Sequence, residues 1–304
     1  CHRIENFIEK ATRAGVNRVF IGLENINPDN LVAAKKRQNK ITEYREMLQK
    51  WRAHGATTYA GYIIGFPGDT KEAVLRDVEI IKNELPLDLL EFFYLTPLPG
   101  SEDHKVLLSK GIWMDPDLNK YDLNHRVSHH PKMTDAEWEE AYREAWASYY
   151  SDSHIETVLK RAAAHRKGRP GNKLFLMMWF KLMVQCEGVH PLEGGYFRLK
   201  HRKDRRSGLP VESAFSFYPR YIWEIAAKHW AYVSATWRVY RIYRKVKASP
   251  DRRSYSDIAI REIEKDGEET LAMIQETRGG VEAVAKTARD ASIVKAAKKR
   301  ASAS

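Results

Sequence analysis

Three apolar runs set the frame for this chain. Arg18-Val19-Phe20-Ile21-Gly22-Leu23, Thr57 to Ile64 and Leu89 to Leu95 recur about 35 residues apart, with helical patterns between them. Short continuous apolar runs are the mark of strands covered on both faces, and strands that alternate with helices pair in parallel through crossovers. The first helix is expected over 3–14, with Ile4, Phe7, Ile8 and Ala11 on one face and Gly15 as its stop. Asn27 as N-cap and Pro28 in the first turn begin another. A further helix covers 41–54 and ends at Gly55. Asp69 is expected to cap the next, with Glu72 completing a capping box, and that helix runs to Leu85 before Pro86. Three strands are too few to close a barrel, and the chain opens on Cys1. The expectation is therefore a piece of a longer domain, entered partway through.

After Pro99-Gly100 the texture changes, and residues 101–133 read as loop with short helical pieces. Thr134 with Glu137, and Ser153 with Glu156, form capping boxes for two helices ending near Tyr149 and His165. Residues 166–172 are a linker, 173–186 an apolar helix and 187–210 a Gly-rich basic loop. A long helix follows Pro219 to Lys247, and the chain ends in charged helix and a basic Ala/Ser tail expected to be disordered. The divisions expected are 1–110, 111–166 and 173–304.

Charge separates front from back. Residues 1–150 carry 20 Lys and Arg against 23 Asp and Glu, net −3; residues 151–304 carry 31 against 17, net +14. A basic back half favours phosphates, of nucleic acid or of anionic lipid. Cys1 and Cys186 are too few for a disulfide framework or a Cys-rich metal site, which suits a reducing compartment. No stretch reaches the length of a membrane-spanning helix and the start is amphipathic, so a cytoplasmic location, with peripheral contact at a membrane, is expected.

Parallel α/β proteins place their sites at the carboxyl ends of strands. Here these are Ile21 to Asn25, Gly65 to Asp69 and Leu95 to Gly100. Glycine weakens a strand and marks a close approach, so Gly61 and Gly65 would let a flat group lie on the second strand. The Gly65–Gly68 turn would expose backbone N–H groups at a helix start. The plainer readings are a turn and a cap at 65–70, and a structural hydrogen-bonding role for Glu24.

The stretches RVFIGLENINPDNL (18–31), YAGYIIGFPGDTKEA (59–73) and FFYLTPLPGSEDH (92–104), taken in order, resemble the radical S-adenosylmethionine superfamily, in the style of the subfamily that often carries a cobalamin-binding domain. The likeness covers residues 1–110, and more loosely to 150. It implies an α/β fold: the C-terminal half of a partial (β/α)6 barrel, these runs standing as its fourth to sixth strands, followed by a mostly helical basic extension. It further implies that Gly61, Ile63 and Gly65 pack the adenine of S-adenosylmethionine, that Glu24 and Asn25 meet its ribose or amino group, and that Leu95 to Pro97 flank the adenine. Gly22 and Phe66 join the same cofactor site. The implied activity is reductive cleavage of S-adenosylmethionine at a 4Fe-4S cluster, giving a 5′-deoxyadenosyl radical that abstracts a hydrogen atom. A reductant such as flavodoxin or ferredoxin is implied, with cobalamin in a longer protein and a small-molecule or lipid substrate. The chain departs from the pattern in lacking the CxxxCxxC loop, so cluster ligands are expected outside it and the chain alone is expected to be inactive.

Other groups are weaker. His125, His129 and His130 number enough for zinc, but a loop of satisfied or substrate-contacting histidines is the preferred reading. Lys35, Lys36 and Arg37 read as a solvated face, or as partners of the cofactor carboxylate; Glu187 to Gly195 reads as a connector or a substrate lid. Trp223, Trp230 and Trp237 recur every seven residues and share one stripe of the long helix. The preferred reading packs that stripe on the barrel or on a partner; the others lay it on a membrane or on nucleic acid. Against the leading enzyme reading stand an iron-free parallel barrel enzyme and a basic helical module that binds membrane or RNA.

Overall fold

Arg18–Glu24 (β1), Thr57–Ile64 (β2) and Leu89–Tyr94 (β3) form one parallel sheet in the order β1-β2-β3. The computed structural model describes residues 4–27, 30, 43–195 and 199–261. Register pairs Gly22 with Gly61 and Gly61 with Glu91, and a bulge interrupts β1 between Gly22 and Glu24. Helices join the strands: α1 (Phe7–Arg13) before β1, α2 (Tyr44–Ala53) before β2, and α3 (Lys71–Glu84) between β2 and β3. The expected α/β architecture with parallel strands is present. Most of the helix expected after Pro28, and Lys35, Lys36 and Arg37 with it, lies outside the described residues.

Alternation along the strands sorts side chains onto two faces. Ala60, Tyr62, Ile64, Leu90, Phe92 and Tyr94 are buried on the face that packs against helices. Trp51 of α2, Val78 and Ile81 of α3, and Trp146 and Tyr149 of α5 (Asp135–Tyr149) complete this core. The opposite face carries Phe20, Gly22, Tyr59, Gly61, Ile63, Glu91 and Phe93, and Phe20 is 49% exposed. One face is thus closed by helices, while the other is only partly covered.

The outer edge of β3 is sealed by tyrosines. The Tyr150 hydroxyl donates to the Leu90 carbonyl (3.0 Å) and accepts from the Leu90 N–H (3.3 Å). Tyr142 donates to the Phe92 carbonyl (3.2 Å) and Tyr149 to that of Leu87 (3.3 Å). These bonds satisfy edge groups that a neighbouring strand would otherwise take.

The amino end of the sheet holds a buried ion pair. Lys173 reaches Asp88 (2.5 Å) and Thr57 Oγ1 (2.8 Å), while Asp88 accepts from the Thr58 N–H (2.9 Å). The chain continues through α4 (Glu102–Ser109), α6 (Asp152–Ala164), α7 (Pro170–Leu182) and the 35-residue α8 (Ala214–Ala248). Arg161 of α6 donates to the Lys82 and Leu85 carbonyls at the end of α3, tying the later helices to the sheet layer.

Several local expectations shift. Thr70, not Asp69, is the N-cap of α3, because its hydroxyl accepts from the Ala73 N–H (3.2 Å) while Asp69 is occupied in the preceding turn. The Thr134–Glu137 capping box forms as expected. Ser151 rather than Ser153 caps α6. Helix α7 begins at Pro170, inside the expected linker, and ends in a π turn over Met183–Glu187. Helix α8 starts at Ala214, so Pro219 lies within it. The tryptophan stripe is not packed within the chain: Phe217, Tyr232, Ala235, Val239 and Val246 are the buried residues of α8, and Trp223, Trp230 and Trp237 face out, so only the barrel half of the preferred reading is corrected.

Candidate functional site

The carboxyl ends of the strands meet the turn that follows β2, and the sequence of that turn explains its shape. Gly65 adopts φ +119°, a backbone setting that side chains rarely take. A Cβ there would stand 2.1 Å from Trp138 Cζ2, so the indole of α5 occupies the space that the glycine leaves. Trp138 Nε1 donates to the Ile64 carbonyl (3.2 Å). Asp69 Oδ2 accepts from the N–H groups of Gly65 (2.8 Å) and Phe66 (3.0 Å), and its Oδ1 accepts from Asn30 (2.6 Å). Burial pushes the Asp69 carboxyl up, and these donors oppose the shift. Two of the N–H groups expected to be exposed in this turn, those of Gly65 and Phe66, are therefore engaged by Asp69.

His130 holds the turn from its other side. Its Nε2 donates to the Phe66 carbonyl (2.8 Å), and its Nδ1 accepts from the N–H groups of Lys132 (3.1 Å) and Met133 (3.0 Å). His125 pairs with Asp122 (2.7 Å), and His129 with Asp135 (2.9 Å) while stacking on Trp113. The three histidines thus go to separate partners. Among the described residues no group of three or more His, Cys, Asp or Glu is placed to hold a metal ion.

Two cavities adjoin along the open face of the sheet. One, of about 230 Å³, is lined by Phe20, Gly22, Glu24, Gly61, Ile63, Phe93 and Leu95, among others. The second, of about 450 Å³, is lined by Glu24, Ile63, Gly65, Phe66, Leu95, Pro97, Ser128, His130 and Trp138, among others. Glu24, Ile63, Leu95 and Thr96 belong to both. The size suits a small-molecule site, for which about 300–1,000 Å³ is usual.

Of the residues singled out in the sequence, Gly22, Glu24, Gly61, Ile63, Gly65, Phe66, Leu95 and Pro97 line this joint cleft. Glu24 enters it from φ +61°, just after the β1 bulge. Gly61 is roofed by aromatic rings: a Cβ there would meet Phe20 Cζ and Phe93 Cε2, each at 3.0 Å. Asn25 is not brought in. It is fully buried, its amide donates to the Tyr62 hydroxyl (3.3 Å), and its Oδ1 accepts from the Asn27 N–H (2.7 Å). Tyr62 in turn donates to Asp77, whose carboxyl is pushed up to about 8 by burial.

Trp138 and Glu91 were not singled out in the sequence, and His130 was singled out only as one of a loop cluster of histidines. Glu91 is the one charged residue of β3, a signal that was present in the sequence. It lies in register with Gly61 on the open face, is 1% exposed, and its Oε1 has no hydrogen-bond partner. Burial pushes its carboxyl up to about 7. Further along the same region, His190 of the 187–195 connector stacks on Phe93 (4.9 Å), and burial lowers its imidazole to about 4.

No protein-family model matches the chain. It is similar to the bacteriochlorophyllide d C-12(1)-methyltransferase of Chlorobaculum tepidum, 25% identical over 182 residues, which is 58% of this chain and 37% of that protein. It is also similar to the uncharacterized methyltransferase PH0819 of Pyrococcus horikoshii, 25% identical over 154 residues, 49% of this chain and 33% of that one. The chain spans about a third of the length of the curated relatives it matches.

These relatives correct the radical S-adenosylmethionine assignment. Both are named for methyl transfer, whereas the resemblance implied radical cleavage and hydrogen abstraction. The 4Fe-4S cluster, the cobalamin domain and the half-barrel placement rested on that resemblance and are unsupported by the comparisons. An iron-free barrel enzyme of another kind and a purely binding module do not match those names either. Among the described residues no helix is long and apolar enough to cross a membrane.

Proposed function

We propose that this chain is the donor-binding part of a methyltransferase that uses S-adenosylmethionine as methyl donor. The observation that carries the reading is the joint cleft at the carboxyl ends of three parallel strands, with Glu24 standing where its two cavities meet. The methyltransferase names of the two relatives give the cleft its chemistry. In this reading the donor's flat base lies along Ile63 and Gly65, flanked by Leu95 and Pro97, and Glu24 accepts from its hydroxyl or amino groups. Gly22, Gly61 and Phe66 shape the walls. Asn25 acts behind the site, holding Tyr62. The acceptor molecule takes the adjoining aromatic face of Phe20, Tyr59 and Phe93, a surface suited to a flat apolar compound.

The test is calorimetric titration of the chain with S-adenosylmethionine and with S-adenosylhomocysteine, followed by the same titration of Glu24→Ala. Binding of both, weakened about tenfold or more by the substitution, is the expected result, since loss of a charge-assisted hydrogen bond costs about 1.5–3 kcal/mol. A chain that binds neither compound, or whose Glu24→Ala variant binds them unchanged, overturns the reading.

A further inference from the structure

We propose that the outward face of α8, together with the basic loop before it, is a docking surface for an anionic lipid membrane, on which the protein lies without crossing it. The helix has two opposed faces. Tyr232, Ala235, Val239 and Val246 are buried against α6 and α7. On the opposite side Trp223, Trp230 and Trp237 are 76%, 74% and 61% exposed, with Phe215, Ile222 and Val233 beside them. Large apolar side chains gathered into one exposed stripe mark an interaction surface, whereas scattered ones do not.

Charge decides the occupant. Toward the C-terminal end the same outward side turns cationic, with Arg238, Arg241 and Arg244 all exposed. Among the residues of α8 one acid, Glu224, stands against seven Lys and Arg, and it is engaged by Lys200 (2.7 Å) and Lys228 (3.2 Å). Tryptophan prefers the boundary between headgroups and acyl chains, and arginine prefers the phosphates above it. Two copies packed through this face would bring two such cationic helices together, whereas an anionic surface neutralises them.

The loop supplies an independent observation. Leu199, Leu209 and Val211 are 75%, 55% and 49% exposed, and the cations Lys200, Arg202, Lys203, Arg205 and Arg206 lie between Leu199 and Leu209. The loop is fastened to the start of α8: the Lys200 N–H donates to Tyr221 Oη (3.2 Å), and Glu212 pairs with Arg205 (2.9 Å) and Arg220 (2.5 Å). Apolar tips and tryptophans are thus carried by segments fixed to each other, with cations around both.

The experiment is flotation of the full chain with vesicles of phosphatidylcholine alone and of equimolar phosphatidylcholine and phosphatidylglycerol. Two variants accompany it, one with Trp223, Trp230 and Trp237 changed to Ser and one with Arg238, Arg241 and Arg244 changed to Gln. All six side chains are exposed, and circular dichroism checks that the fold is kept. The chain is expected to float with the mixed vesicles and not with the neutral ones. The tryptophan variant should bind more than tenfold more weakly, and each arginine removed should cost about fivefold. Raising salt from about 0.1 M to 1 M should release the chain, as the Debye length falls from about 10 to 3 Å. The proposal is overturned if the chain stays at the bottom of the gradient or if either folded variant floats like the parent. It is equally overturned if the tryptophan variant abolishes a dimer or RNA binding while vesicle binding is absent. Methyl donor binding is unaffected by any of these outcomes.

Discussion

Adding one methyl group at Gly65 tests the logic of the cleft directly. Gly65→Ala imposes two separate penalties. The backbone must hold a side chain at φ +119°, which costs about 1–3 kcal/mol. The new Cβ also falls 2.1 Å from Trp138 Cζ2 and 2.6 Å from Cε2, so the indole has to move, and overpacking of this kind costs about 1–3 kcal/mol more. Moving the indole also endangers its bond to the Ile64 carbonyl. A total of about 2–6 kcal/mol follows, read from urea denaturation at unchanged m-value. The two penalties are separable. In a Trp138→Leu background, itself destabilised by loss of a buried ring, the contact is gone and only the backbone strain remains. Gly65→Ala should then cost about 1–3 kcal/mol, giving a coupling energy of similar size between the two sites. A cost below about 1 kcal/mol in the parent, or an equal cost in both backgrounds, refutes the account of the turn.

Two further outcomes concern buried acids. Burial raises Asp77 to about 8 and Glu91 to about 7 in the folded protein, while the unfolded chain releases these protons in the ordinary carboxylate range. The folded state therefore holds more protons between those limits. Their stabilising contribution is full below about pH 4 and is lost as pH rises through about 7 and 8. Asp77→Asn, followed by denaturation at intervals from about pH 5 to pH 8, should flatten that fall; an unchanged slope refutes the assignment. Glu91→Leu removes a buried carboxyl oxygen with no partner and should stabilise the chain by about 1–3 kcal/mol in the same assay. Destabilisation by that substitution would show that Glu91 has a structural partner.

The strands were legible because their signal is local. Arg18 to Leu23 and Thr57 to Ile64 are mostly apolar, with Arg18 their one charge, and the structure ends these strands within a residue of the expected positions. Helix caps were less so, because several hydroxyls and carboxylates compete within a few residues. Asp69 and Thr70 both qualify by type, and the competition is decided by Asp69 accepting from Gly65 and Phe66. Eight of the nine residues singled out in the sequence lie together in the cleft because they stand at strand ends that parallel pairing brings side by side. Asn25 follows Glu24 in sequence, yet the reversed φ of Glu24 turns the next side chain to the core. Trp138 left no local trace, and for His130 the histidine cluster was visible but not its partner, since each acts on a segment more than sixty residues away. The direction of the tryptophan stripe was likewise undetermined: a seven-residue spacing fixes which side chains share a face, and packing of α8 on α6 and α7 decides which face is covered.

The asymmetry of the sheet ties these observations together. At β3 the edge is closed by Tyr142, Tyr149 and Tyr150, all from α5 and the residue that follows it. The same helix sends Trp138 over Gly65 and buries Trp146 behind Phe92. One helix thus terminates the sheet, covers its closed face and braces the turn that shapes the cleft. Adding a strand beyond β3 would mean displacing three buried rings together with their hydrogen bonds. On the opposite face Gly22 and Gly61 keep the floor low, and Phe20 and Phe93 stand over it as walls. The rigid side of the sheet is therefore built by long-range aromatic contacts, and the side left open is the one where glycines, Glu24 and the unpartnered Glu91 oxygen stand.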